Sequence, residues 1–159
     1  ENSLIDICKI FSYEHLGNIF SVILFPHRWI FEMVEAWDSN GVLGFGSDNE
    51  DARGMNHPPR IAGAYFAAKL AVSEYLLKNK IQAGVLILRE IRPEYAIPVG
   101  VWQVREGIRE AMKQKPQIAS EINMALKIAS AKTSISKIEW IKNGNIINKI
   151  RQKTISDYI

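Results

Sequence analysis

The run from Ala83 to Ile91, apolar until it closes on Arg89, Glu90 and Arg92, restricts the fold more than any other feature of the chain. A strand-length stretch of this kind belongs in the middle of a sheet, with its charged carboxyl end reaching an edge of the core. Helical sequence surrounds it. Before it, Arg60 to Lys80 places Ala62, Tyr65, Phe66, Leu70, Val72, Leu76 and Leu77 at helical spacings, and Pro58-Pro59 stands where such a helix begins. After it, a second helix is predicted over 99–115, with Val101, Val104, Ile108, Ala111 and Met112 on one face. Pro116 stops that helix, and Ile118 to Ser130 repeats the period through Ile122, Leu126 and Ile128.

Upstream the pattern changes to that of strands. Ile7, Lys9 and Phe11 alternate, His15-Leu16-Gly17-Asn18 has turn chemistry, and Ile19 to Phe25 is β-branched and aromatic. Between Trp29 and Trp37 the odd positions Trp29, Phe31, Met33 and Trp37 are large and apolar, which suits a strand with one face on a core. Together these read as a three-stranded antiparallel start. Asp38 to Pro59, rich in glycine and acidic residues, reads as a long loop and a candidate lid. Strands with interposed helices make a mixed α/β (α+β) domain: N-terminal antiparallel strands, a central buried strand, two to three packed helices and a flexible C-terminal tail.

At 159 residues and 47% apolar, with mean hydropathy −0.07, the chain suffices for one domain with a core, and disorder throughout is excluded. No apolar stretch approaches the roughly 20 residues of a membrane span. The sequence opens on Glu1 without a secretory pattern, and it reads as a fragment of a longer protein. The single cysteine, Cys8, points to a reducing, intracellular compartment, and the expected location is cytoplasmic. Charge is unevenly placed. Residues 132–159 carry Lys132, Lys137, Lys142, Lys149, Arg151 and Lys153 against Glu139 and Asp157, a net of +4, whereas residues 1–131 sum to −1. The chain therefore divides into a body, 1–131, and a basic tail, 132–159, that faces an acidic partner.

The tail ends Gln152-Lys153-Thr154-Ile155-Ser156-Asp157-Tyr158-Ile159, a Q-x-x-I-x-x-Y-I pattern that resembles the sliding-clamp-interacting PIP box. In a single 3₁₀ turn, residues three apart fall on one side, so Ile155, Tyr158 and Ile159 converge as an apolar plug. Gln152 supplies a polar anchor with donor and acceptor, and Lys149, Arg151 and Lys153 favour encounter with an acidic rim. PIP boxes usually carry two aromatic residues at the last two positions. Here the last is Ile159, which reduces the aromatic area of the plug.

The body has a resemblance of its own. Phe31 to Trp37, Ala62 to Ala71, Leu88-Arg89-Glu90-Ile91-Arg92-Pro93-Glu94-Tyr95 and Pro98 to Glu106 resemble the C-terminal region of the archaeal Nre family of DNA repair proteins. The likeness spans roughly Leu16 to Ile108 and then the terminal peptide. It implies a DNA repair factor recruited to the replication sliding clamp (PCNA), with DNA and the N-terminal region of the same protein as further partners. It also implies that a cysteine-rich element, with any zinc site, lies in an N-terminal region outside this chain, which itself is expected to hold no cofactor and no metal.

Arg89, Arg92, Glu94, Tyr95, Trp102 and Arg105 gather around the end of the central strand, where α/β folds tend to bind ligands. As a phosphate pocket, the arginines would fork onto phosphate oxygens while Trp102 or Tyr95 stacks on a base, giving a nucleotide- or nucleic-acid-processing enzyme as the alternative function. The competing reading pairs Arg89, Glu90, Glu94 and Arg105 with one another at the edge of the core. Glu32 and Glu35, with Asp38, are weaker candidates for magnesium, and solvent-facing alternation accounts for them more simply. Gly44-Phe45-Gly46 lacks the third glycine of a dinucleotide fingerprint. His15, His27 and His57 are too scattered to suggest zinc, and Cys8 reads as a small buried side chain.

Overall fold

The structure, a computed structural model, describes residues 2–94 and 100–150. Its elements in chain order are β1 (Ser3–Leu4), β2 (Cys8–His15), β3 (Asn18–Phe25), β4 (Ile30–Ser39), β5 (Val42–Asp51), α1 (Ala62–Asn79), β6 (Ile81–Gln82), β7 (Gly84–Ile91), α2 (Trp102–Lys113), β8 (Gln117–Ala119), α3 (Ile122–Ser130) and α4 (Lys137–Asn143). The mixed α+β class expected from the pattern is the one observed. Six strands form one sheet in the order β5-β4-β7-β3-β2-β8, antiparallel throughout except where β4 runs parallel to β7. The apolar run that anchors the sequence reading is β7, and it lies between β3 and β4.

That insertion corrects the expected three-stranded antiparallel start. β2 and β3 form a hairpin over Leu16-Gly17, both at positive φ, but β4 crosses to the far side of β7 instead of pairing with β3. Local sequence favours the hairpin. The crossover is decided by β7, whose two apolar faces need a neighbour on each side and a helical layer above and below.

Two cores result. On one face Phe20, Val22, Phe31, Met33, Val85 and Ile87 pack against Tyr65, Val72 and Leu76 of α1 and Val104 and Ile108 of α2. On the other, Ile23, Val34, Leu86 and Leu88 pack against Ala125 and Leu126 of α3, Trp140 and Ile141 of α4, and Ile147. β8 replaces the start of the third predicted helix, pairing Gln117–Ala119 with the edge of β2.

The expected lid is also corrected. Residues 42–51 are β5, joined to β4 by the two-residue turn Asn40-Gly41, both at positive φ. Its strand signal is hidden by Gly44 and Gly46, which are glycine for a reason of packing. A Cβ on Gly44 would lie 2.4 Å from Trp37 Nε1, so the indole needs the bare backbone.

Nor does the body stop at residue 131. Trp140 is fully buried, donates from Nε1 to Thr133 Oγ1 at 3.1 Å and meets Phe45 edge-on with ring centroids 6.1 Å apart. Truncating such a side chain typically costs about 3–5 kcal/mol, so the basic segment through Ile150 is part of the globule. Its lysines kept their place on the surface while Ile135, Trp140, Ile141 and Ile147 went inward.

Candidate functional site

The end of the described chain is fastened by carboxylates that stand inside the sheet. Glu32 of β4 is fully buried on the face of α3 and α4, where it accepts N–H bonds from Asn145 (2.5 Å), Ile146 (3.0 Å) and Ile147 (3.1 Å). Those are free donors at the start of a helical segment, 146–150, and a carboxylate placed there satisfies them and opposes the helix dipole. Burial raises the Glu32 carboxyl above its ordinary value, while the three N–H groups and Lys149 pull it back. Glu90 of β7 does the same for the preceding loop, accepting from the backbone N–H and hydroxyl of Ser134. The terminal peptide of the sequence thus follows a segment tied to the middle of the sheet at two places.

Beside this anchor lies a cleft of about 620 Å³, between the end of β5, the turn after it and the 145–150 segment. His27, Asn49, Asp51, Arg53, His57 and Lys149 line it. Glu50 forms its floor and accepts from Lys69 Nζ (2.8 Å), Tyr65 Oη (2.9 Å) and Trp29 Nε1 (3.1 Å). Burial pushes its carboxyl up, but these donors outweigh burial and hold it below the ordinary range. Tyr65 responds oppositely, its hydroxyl driven far up by burial and by Glu50. Asp48, one step behind, caps α1 by accepting from the N–H groups of Arg60 and Ile61, both at 2.7 Å, because Ile61 at the cap position has no side-chain oxygen. Its other oxygen, Oδ1, has no hydrogen-bond partner, and His57 Nδ1 is 3.7 Å away. At the rim, hydrogen bonds from Arg53 hold the Asp51 carboxyl down at about 2. The cleft sets apolar side chains, Ile30, Met55 and Ile146 among them, beside charges of both signs. Among the described residues no three of His, Cys, Asp or Glu are placed to hold a metal ion.

The arginine set predicted from sequence is distributed over separate environments. Arg89 is buried, donates to Glu35 Oε1 at 2.7 Å and Asn18 Oδ1 at 2.9 Å, and sits 5.6 Å above the Phe20 ring. Its guanidinium is occupied inside the protein. Arg92 pairs with Glu14 at 3.1 Å and approaches Glu90 at 3.8 Å. Arg105 lies 3.5 Å from Glu106, and its Nε has no hydrogen bond. Trp102 is half exposed and borders a shallow pocket of about 210 Å³ with Tyr13, Phe20 and Gln103, whereas Arg92 borders a different one with Glu90 and Ser134. Glu94 is exposed. Tyr95, and the clamp-peptide residues Gln152, Ile155, Tyr158 and Ile159, lie outside the described residues.

Glu32 and Glu35 are not solvent-facing, as alternation suggested, and they cannot share a cation. They project to opposite faces of the sheet, one to Asn145–Ile147 and the other to Arg89, while Asp38 is exposed near the end of β4 and accepts from the Gly41 N–H of the hairpin turn at 2.7 Å. Sequence reasoning missed Glu32, Asp48 and Glu50 as anchors. For Glu32 a signal existed, a carboxylate flanked by Phe31 and Met33 in a strand. For Asp48 and Glu50 the glycine-rich surroundings concealed the strand itself.

Comparison with known proteins gives these features a context. Residues 50–158, more than half of the chain, match the family model described as "Archaeal Nre, C-terminal". The chain belongs to the archaeal Nre family. Residues 1–43 match a second model, "Archaeal Nre, N-terminal". DNA repair protein NreA of Archaeoglobus fulgidus is 41% identical over 141 residues, covering 86% of this chain and 36% of that protein. DNA repair protein NreB of the same organism is 29% identical over 161 residues, 98% of this chain and 41% of that protein. DNA repair protein NreA of Haloferax volcanii is 38% identical over 118 residues, 69% of this chain and 28% of that protein. The chain spans less than half the length of each of these Nre relatives. No solved structure matches it.

The second match corrects the assignment of residues from Leu16 onward to the C-terminal region alone, and part of the Nre N-terminal region is present here. The first matched stretch ends at residue 43 and the second begins at residue 50, both within β5. Strands β2, β3 and β4 come from the first stretch and β7 from the second, yet β7 pairs with both β3 and β4. The two Nre regions share one sheet in this chain, so the boundary between them is not a boundary between folding units.

Proposed function

We propose that this Nre chain is part of a DNA repair protein that is brought to the replication sliding clamp by its last eight residues. The repair role is supported by the names of the relatives, each a DNA repair protein. The observation that carries the clamp reading is the Q-x-x-I-x-x-Y-I pattern of Gln152 to Ile159, which falls almost entirely within the family match ending at residue 158. Its position supports the same reading. The octapeptide begins two residues after Ile150, the last described residue, and the turn that precedes Ile150 is pinned by Glu32, so the peptide follows closely on a fixed body.

In this reading Ile155, Tyr158 and Ile159 enter an apolar pocket on the clamp, Gln152 bonds beside it, and Lys149, Arg151 and Lys153 steer the approach. The test is binding of the chain to an archaeal sliding clamp by surface plasmon resonance. Deleting Gln152 to Ile159 should abolish binding and leave the melting transition of the body in place. Tyr158→Ala should cost about 2 kcal/mol or more, as truncating a central aromatic anchor generally does. Equal affinity for the truncated and intact chains would overturn the proposal.

A further inference from the structure

α1 is apolar on both sides. Tyr65, Ala68, Val72 and Leu76 face the core, and on the opposite side Phe66, Leu70 and Leu77 are 51%, 47% and 70% exposed. At 3.6 residues per turn these three fall within an arc of about 40°, a stripe along the outer face of the helix rather than three scattered side chains. Val101, 52% exposed, extends the stripe at its N-terminal end. It seats against Gly63, where a Cβ would lie 2.6 Å from Val101 Cγ1. Isolated exposed apolar residues need no explanation, but an aligned stripe of this kind marks a contact surface.

Two observations indicate what covers it. First, the Nre relatives are more than twice as long as the stretch they share with this chain, and only residues 1–43 match the N-terminal family model before the C-terminal one begins. Second, the beginning of the described chain lies at the C-terminal end of α1. β1 runs parallel to β6, which directly follows the helix, and Ser3 N–H donates to Lys80 O at 3.1 Å. Leu4, 51% exposed, is on that strand.

We infer that the outer face of α1, formed by Phe66, Leu70, Leu77 and Val101, is the docking surface for the Nre polypeptide that precedes β1 in the longer relatives. Polypeptide arriving at Ser3 emerges beside Lys80, three residues beyond Leu77, and needs only to fold back along the helix to bury the stripe. The contact is intramolecular, so a modest apolar area suffices, because the tether supplies a high effective concentration. The inference is independent of clamp binding, which concerns the other end of the chain.

The test is covalent footprinting read by mass spectrometry, comparing the 159-residue chain with full-length NreA of Archaeoglobus fulgidus. The α1 peptide should label readily in the chain, and its counterpart should label severalfold less in NreA. Leu70→Glu with Leu77→Glu should leave the melting of the chain unchanged, and the same changes at the aligned positions of NreA should restore labelling. Equal labelling in the two proteins would overturn the inference. So would protection in the 159-residue chain itself: if that protection rises with concentration and is lost in the double variant, the stripe is a dimer contact, and if it is independent of concentration, the chain's own residues cover the stripe.

Discussion

Replacing Glu32 with Ala leaves three N–H groups, those of Asn145, Ile146 and Ile147, without an acceptor in a site closed to water. Each orphaned buried donor costs about 1–3 kcal/mol. Against this stands relief from holding a carboxylate in a fully buried position, an effective penalty of several kcal/mol. The balance is a destabilisation of about 2–4 kcal/mol, which for a chain of this size lowers the melting temperature by about 4–16 °C. Glu32→Gln keeps one carbonyl acceptor and should lose less. It should also change the pH dependence. Because burial raises the Glu32 carboxyl, the folded state binds that proton more tightly than the unfolded chain does. The contribution of the group is therefore greatest below the ordinary carboxylate range and declines as pH rises through the raised folded value. The Gln variant should lack that decline. The assays are calorimetric melting across pH and amide hydrogen exchange at Asn145 to Ile147. An Ala variant that melts within about 2 °C of the parent, with exchange at these three amides unchanged, would refute the anchoring argument.

Glu50 should act in the opposite direction on pH. Its carboxyl is held below the ordinary value, so its contribution is present above that range and lost as pH falls through the lowered folded value. Lys69→Met, which removes the 2.8 Å donor, should move acid unfolding to higher pH by circular dichroism, and an unchanged acid limb would contradict this. Arg89→Ala strands Glu35 inside the core and should cost about 3–5 kcal/mol in urea unfolding, whereas Arg105→Ala, on the half-exposed side of α2, should stay within about 0.5 kcal/mol. The reverse order would reopen Arg89 as a ligand residue. Burial, with Glu121 nearby, pushes the Cys8 thiol up to about 11. Native protein at pH 8 should therefore react with a disulfide reagent only as fast as it unfolds, and rapid stoichiometric labelling would show the site to be open.

What the sequence determined by itself was local and periodic. β7, β3, α1 and α2 were legible because their apolar spacing is dictated by whichever face each must bury, and the family likeness was legible because it is a pattern of neighbouring residues. The tertiary structure decided what depends on residues far apart in the chain. Arg89 looked like a free phosphate ligand until Glu35, 54 positions away, and Asn18, 71 away, were found on its guanidinium. Glu32 looked solvated until the backbone of Asn145 closed over it from 113 positions away. β5 could not be recognised because its glycines answer to Trp37 and Ile61, not to their own neighbours in sequence. A buried charge is tolerated only where a partner reaches it, and in this chain the partners arrive across the sheet, where no local pattern records them.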